Sequence, residues 1–259
     1  MKNIIVSKED FLKTYKNKAY GYKAIKLCKK NKWLPTKSSK ELASIIGRLM
    51  GDGNLSKDPM VGDFRFYGNR DKLDKIKKLL KEKFKLDLYK YYLHPKKGGY
   101  ILKYNNAIFS RILELTGVPR GDKILKAFKV PNWIMKGDKK VKKAFLSAIF
   151  ADEMGKISKR KSGGWNGLGF GMSKIEEKSN HLIYFLNQLR YLLKEFHITS
   201  SDVRLRKDSE YHRKDGNVTY QAVFEVHINR FNRERFYSKV GFDDEEKQKL
   251  LYMSVREPK

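Results

Sequence analysis

The chain has 259 residues, of which 40% are apolar and 13% aromatic. That is enough for one large core or two medium domains, and too apolar for an intrinsically disordered chain. Against 29 Asp and Glu stand 58 Lys and Arg, a formal charge of +29 that makes sense beside a polyanion: nucleic acid first, an anionic membrane surface second. No run approaches about 18 uncharged apolar residues, which argues against a membrane span. The start, Met1 to Ser7, lacks the apolar core of a secretory signal. Cys28 is the only cysteine, which excludes an intrachain disulfide and any multi-cysteine zinc site, and the five histidines show no metal-ligand spacing. A soluble, cytoplasmic protein is expected.

Residues 1–37 read as a basic N-terminal extension. Within it, residues 8–32 interleave Phe11, Leu12, Tyr15, Tyr22, Ile25 and Leu27 with lysines, as one or two short helices. They form either a DNA-touching arm or a small helical cap on the core. Ser38 or Ser39 then caps a helix whose apolar positions Leu42, Ile45, Ile46 and Leu49 recur at helical spacing, ending on Gly51-Asp52-Gly53. Short strands follow at 54–57 and 63–67. In the second, Phe64 and Phe66 alternate with Arg65 and Tyr67, giving one apolar face and one basic, aromatic face. Residues 71–84 form an amphipathic helix. A hairpin comes next, with strands at 86–94 and 100–104 across a Pro95-Lys96-Lys97-Gly98-Gly99 turn. A helix over 107–116 stops at Gly117, and residues 38–135 form a first subdomain. A linker over 136–140 leads into the second, 141–259.

There the order repeats. A helix from about Val141 ends in Leu146-Ser147-Ala148-Ile149-Phe150-Ala151-Asp152-Glu153. Strands are expected at 156–161 and 165–173, joined by Ser162-Gly163-Gly164, then a long amphipathic helix over 176–196. A hairpin pairs 203–211 with 218–228 across Asp215-Gly216, with Val218, Tyr220, Ala222, Phe224, Val226 and Ile228 on one face. A helical region over 233–253 closes the chain. The expected class is α+β: two αββαββα subdomains related by a pseudo-twofold axis.

Those paired stretches resemble the LAGLIDADG homing endonucleases in their single-chain, two-motif form, from about residue 40 to about residue 252. Aligned on the acid, Gly47 and Ala148 fall at the small-residue position where the motif helices touch, and Asp52 and Glu153 at the metal-binding acid. Gly117-Val118-Pro119-Arg120-Gly121-Asp122-Lys123 resembles the loop that delivers a basic residue to the active site, and Val240-Gly241-Phe242 followed by Lys247 its counterpart. Val130-Pro131-Asn132-Trp133-Ile134 resembles the stretch preceding the second motif. Two departures stand in the second motif. Met154 replaces the usual glycine, and Asp152 occupies a position usually small. A one-residue shift would make Asp152 the ligand; Glu153 is preferred because it keeps Ala148 at the helix contact.

The resemblance implies antiparallel sheets forming a DNA-binding saddle and a monomeric, Mg2+-dependent (or Mn2+-dependent) site-specific endonuclease. It would cut both strands of a long asymmetric DNA site in the service of intron or intein mobility. Hydrolysing a phosphodiester needs charge offset, an activated water and a stabilised leaving oxygen, which a divalent ion on hard carboxylate ligands supplies. Asp52 and Glu153 are the expected ligands and catalytic acids, with Lys123 and Lys247 as basic partners near the phosphate. Asn69 or Arg70, and Ser173 or Lys174, are candidates for a further polar residue that the family carries after its second strand. Arg65, Tyr67, Lys103, Arg204, Arg206 and Gln221 are expected on the DNA-facing side of the sheets, reading the major groove. No splicing block is visible on either flank, which favours an intron-encoded or free-standing form. An RNA maturase acting on host intron RNA, or a non-cleaving DNA-binding regulator, is the alternative on the same fold.

Overall fold

The structure, a computed structural model, describes residues 3–94, 98–161, 164–227 and 229–256. Three sequence expectations lie outside these residues: part of the turn at Pro95-Lys96-Lys97, the turn residues Ser162-Gly163, and Ile228 at a strand end.

Strand β1 (Ile4–Val6) pairs antiparallel with β2 (Thr36–Lys37), and between them run helices α1 (Lys8–Lys13) and α2 (Lys18–Asn31). Ser7 and Asp10 form a capping box that starts α1. Phe11, Ala24, Ile25, Cys28, Trp33 and Leu34 are buried in the common core, and the Trp33 indole donates to the Phe84 carbonyl at 2.6 Å. Of the two expectations for the N-terminal extension, it is the cap: its apolar side is buried against the first half.

Helix α3 (Lys40–Met50) starts on Ser39, whose hydroxyl accepts from the Leu42 amide. Strands β3 (Asn54–Leu55), β4 (Asp63–Gly68), β5 (Tyr89–Leu93) and β6 (Tyr100–Asn105) form an antiparallel sheet in the order β3-β4-β6-β5. Helices α4 (Arg70–Phe84) and α5 (Ala107–Leu115) accompany it. A short α6 (Asn132–Met135) precedes α7 (Lys139–Glu153), which is capped by Asp138. Lys139 and Lys140, expected in the linker, therefore form the first turn of α7. In the second half, β7 (Leu168–Ile175), β8 (Arg204–His212) and β9 (Val218–Val226) form a sheet in the order β7-β9-β8, with α8 (Ser179–Glu195) between β7 and β8. Phe64 stacks on its register partner Tyr104 at 5.2 Å, and Phe170 on its partner Phe224 at 5.3 Å, so the halves repeat in their packing as well as their order.

Two expectations need correction. The second sheet has three strands among the described residues, because the expected strand over 156–161 is reduced to isolated bridges, Met154 with Phe170 and Lys159 with Trp165. Ile157 is the one apolar side chain this segment buries, and Lys156 turns away to Glu246 at 2.6 Å, so no apolar face remains to hold a strand down. The expected closing helix is broken. Helix α9 (Arg230–Arg235) runs into a wide turn over Phe236–Val240, stops at Gly241 with φ +68°, and resumes as α10 (Glu245–Arg256). Thr219, which alternates in β9 with the set expected on one face, is buried. No helix among the described residues is long and apolar enough to cross a membrane.

Candidate active site

The site begins where α3 and α7 touch. A β-carbon on Gly47 would stand 2.6 Å from the Phe145 carbonyl oxygen and 3.0 Å from the Ala148 β-carbon. Only glycine lets the backbones approach this closely. Both helices run the same way from this contact and end together, α3 on Gly51-Asp52 and α7 on Asp152-Glu153. Asp52 and Glu153 line one cleft of about 250 Å3 with Lys123, Phe128, Ser173 and Lys174. Glu153 also lines a larger cavity of about 730 Å3 on the second sheet, with Arg204, Arg206 and Gln221 in its wall. The acid thus stands at the junction between the helix ends and a sheet face of mixed charge, whose wall also carries Asp208 and Glu225.

Each half supplies a lysine to its own helix end. Lys123 lies in the 3-10 turn Lys123–Leu125 and donates to the Leu49 and Met50 carbonyls, both at 3.2 Å. Lys247, in the first turn of α10, donates to the Ala151 carbonyl at 2.8 Å and to that of Met154. These carbonyls form the negative end of each helix, where a cation is favoured. Burial pushes both ammonium groups toward neutrality, with Glu153 and Asp52 opposing that at Lys123 and Asp244 opposing it at Lys247. Glu153 is pushed up to about 8, first by burial and then by the Asp52 carboxylate, against the pull of Lys123.

Asp152 has a different place. Its carboxylate, 3% exposed, is held between the Arg48 guanidinium at 3.0 Å and the Lys72 ammonium at 2.6 Å. Arg48, 4% exposed, also pairs with Asp243 at 2.9 Å. Gly51 makes room, since a β-carbon there would meet that of Asp152 at 2.9 Å. The alternative alignment gives Asp152 the metal; in the structure its carboxylate is engaged by two cations within the helix interface. Sequence reasoning missed this network. Its signal was present, in an arginine interrupting the apolar run of α3 and an acid at a small position of α7.

Arg65 and Lys103 face each other across β4 and β6, and both pair with the buried Asp63 at 2.8 Å. Burial alone would raise Asp63, but the two cations outweigh it and hold its carboxyl below the usual range. Tyr67 lies further along the same half-buried face, its ring 6.0 Å from that of His94. Arg204 and Arg206 are exposed on β8, and Gln221 is the register partner of Arg206. Asn69 and Arg70 stand apart from the cleft. Asn69 caps α4, and Arg70 lies 3.6 Å from the Tyr91 ring centre. Ser173 is exposed on the cleft wall, whereas Lys174 is buried and turned beneath the Lys123 loop.

The donor set suits a hard divalent ion. Two carboxylates share one cleft, and their mutual repulsion contributes to the upward push on Glu153, a cost that a divalent cation would offset. Among the described residues no cluster of three or more His, Cys, Asp or Glu side chains could hold a metal.

No family model matches the sequence. Among solved structures, the homing endonuclease I-WcaI bound to its DNA recognition sequence superposes with a TM-score of 0.50 and 18% identity, covering 95% of this chain and 98% of that one. The fold is that of the LAGLIDADG homing endonucleases. Two curated relatives are archaeal. One is the RNA polymerase subunit Rpo1N of Methanocaldococcus jannaschii, 29% identical over 270 residues, covering 96% of this chain and 20% of the relative. The other is the tRNA-splicing ligase RtcB of Methanopyrus kandleri, 30% identical over 223 residues, covering 81% of this chain and 21% of the relative. The chain spans about a fifth of the length of these relatives.

Proposed function

We propose that this chain is a metal-dependent, site-specific DNA endonuclease that acts as a monomer and breaks both strands of a long, imperfectly symmetric target. One observation carries the reading. Helices from the two halves bring Asp52 and Glu153 to a single cleft that opens, through Glu153, onto a sheet face bearing Arg204, Arg206 and Gln221. Asp52 and Glu153 would hold the divalent ion, which when bound offsets phosphate charge and activates water. Lys123 and Lys247, tied to the two helix ends, place ammonium groups beside the scissile phosphates and stabilise developing negative charge there. Arg204, Arg206 and Gln221 on the second sheet, with Arg65, Tyr67 and Lys103 on the first, face the groove, while the many other lysines hold phosphates and fix register.

The two relatives support a mobile setting. By name they do different work, and each matches this chain over only about a fifth of its length. A segment shared by such different hosts behaves as an insert. In place of the intron-encoded or free-standing form expected from the sequence, we read the matching segments as endonuclease parts of inteins, and this chain as the same kind of element, with the polymerase and ligase activities belonging to the hosts alone.

The test uses a plasmid carrying the uninterrupted host-gene junction. Linearisation in Mg2+, none in EDTA, and binding without cutting by Asp52→Asn and Glu153→Gln are expected. Unchanged cutting by either variant removes that acid from the mechanism. Tight, specific binding with no cutting by the parent chain favours a non-cleaving regulator.

A further inference from the structure

Lys174 is the most deeply buried lysine side chain near the cleft, 1% exposed, and the reading above gives it no task. It belongs to β7 in the second half, on the same strand face as the buried Leu168 and Phe170. Its ammonium donates to the Lys123 carbonyl at 2.5 Å and to the Lys126 carbonyl, and stands 3.9 Å from the centre of the Phe128 ring. Those three groups belong to the loop of the first half that carries Lys123. Two carbonyls and an aromatic face are what a buried ammonium needs to stay in place.

The loop is held at its two ends, where the Gly121 amide donates to the Leu55 carbonyl at 2.7 Å and the Phe128 ring lies 4.9 Å from that of Phe185, and by the Lys123 ammonium itself; the stretch between is largely exposed. Leu125, Lys126, Ala127 and Lys129 are exposed, and Ile124 is half-buried. Asp122 caps the Ile124 amide, and Arg213, also from the second half, pairs with Asp122 at 2.8 Å on the surface. The Lys247 side is built differently. There the lysine sits inside α10, its amide capped by Asp244, and the helix sets its backbone.

We propose that Lys174 is a positioning residue: from the second half it clamps the loop of the first half and so sets where the Lys123 ammonium stands. The inference rests on the reading that Lys123 acts at a scissile phosphate. Because Lys247 needs no such clamp, loss of Lys174 slows one strand cut and spares the other.

The experiment compares the parent chain with Lys174→Met, Lys123→Met and the double variant. Lys174→Met is expected to lose amide hydrogen-exchange protection over residues 122–127 while the rest of the chain keeps it. On supercoiled target plasmid, nicked circle accumulates, with one strand slowed about tenfold, in line with the sensitivity of rate to small misplacements. DNA affinity stays unchanged, and the double variant cuts no more slowly than Lys123→Met alone, because both changes act through one ammonium. Equal slowing of both strands, or additive losses in the double variant, overturns the proposal. If Lys123→Met cuts both strands at the parent rate, it is the catalytic reading of Lys123 that falls. Hydrogen exchange then decides the clamp: lost protection in the loop supports it, and unchanged protection overturns it. Should Lys174→Met fail to fold, Lys174→Gln, which keeps an N–H donor, takes its place in the same measurements.

Discussion

Adding one methyl group at Gly47 tests how far the site depends on helix approach. A β-carbon there would lie 2.6 Å from the Phe145 carbonyl oxygen, where ordinary contact begins near 3.4 Å, so the backbones must part by about 0.8 Å. The obstacle is backbone and cannot rotate away. Overpacking of this kind costs about 1–3 kcal/mol, offset by the roughly 1 kcal/mol that alanine gains over glycine within a helix. Gly47→Ala should therefore lose between about 0 and 2 kcal/mol in urea titration. Its effect on cleavage should be larger. Asp52 and Glu153 sit at the ends of the two separated helices, and a misplacement near 1 Å can cost about 10²-fold in rate. Single-turnover cleavage, with binding measured separately, should show a fall of one to two orders of magnitude at unchanged affinity. Gly155→Ala, where an added β-carbon meets nothing within 4 Å, is the control. If Gly47→Ala cleaves and unfolds like the parent chain while the control does the same, close helix contact is not what builds the site.

Asp152→Asn leaves the Arg48 and Lys72 charges short of a partner in a buried interface and should destabilise by about 3–5 kcal/mol; Arg48→Met with Asp152→Ala should recover most of that, and calorimetry of the set checks both statements. Glu153 gives a pH signature without metal. Its carboxyl is raised from an ordinary value near 4.5 to about 8, so the folded state holds a proton that the unfolded state releases. That stabilisation is fully present below about 4.5 and is lost as pH rises through about 8. The difference in melting temperature between the parent and Glu153→Gln should follow that course, and apparent Mg2+ affinity should rise over the same window; a pH-independent difference would refute the assignment. Arg206→Ala should lower the slope of log affinity against log salt by about 1 if the residue holds phosphate. If it reads a base, discrimination at one position should relax by about 1–3 kcal/mol, and binding to a substituted target series separates these outcomes.

Much of the architecture was legible because it rests on local rules. Ser39 caps the first motif helix, apolar residues recur at helical spacing, and the alternation of Phe64 and Phe66 with Arg65 and Tyr67 survives as buried and half-buried faces. The paired acids were visible as two like endings. What escaped depends on residues far apart in the chain. Arg48, Asp152 and Asp243 meet only once the halves are docked. Lys174 was expected, as an alternative to Ser173, to be a further polar residue after the second strand; its burial under the Lys123 loop escaped because sequence does not tell which loop lies against a strand face, although its period-two position with Phe170 pointed inward. That no fourth strand forms among the described residues has a local cause that weighed too little: a segment with one apolar residue to bury has no reason to lie flat.

The Arg48–Asp152 contact also bears on how such proteins can be recombined. Arg48 belongs to the first motif helix and Asp152 to the second, while Gly51, at the first-motif position matching Asp152, is the residue that leaves room for that acid. The charges are therefore complementary in one direction only. Joining the first half to a foreign partner strands a guanidinium in the seam, and joining the second strands a carboxylate. A chimera built from either half must carry its opposite along or have both replaced together, so this pair works as a compatibility key between halves that otherwise share one plan.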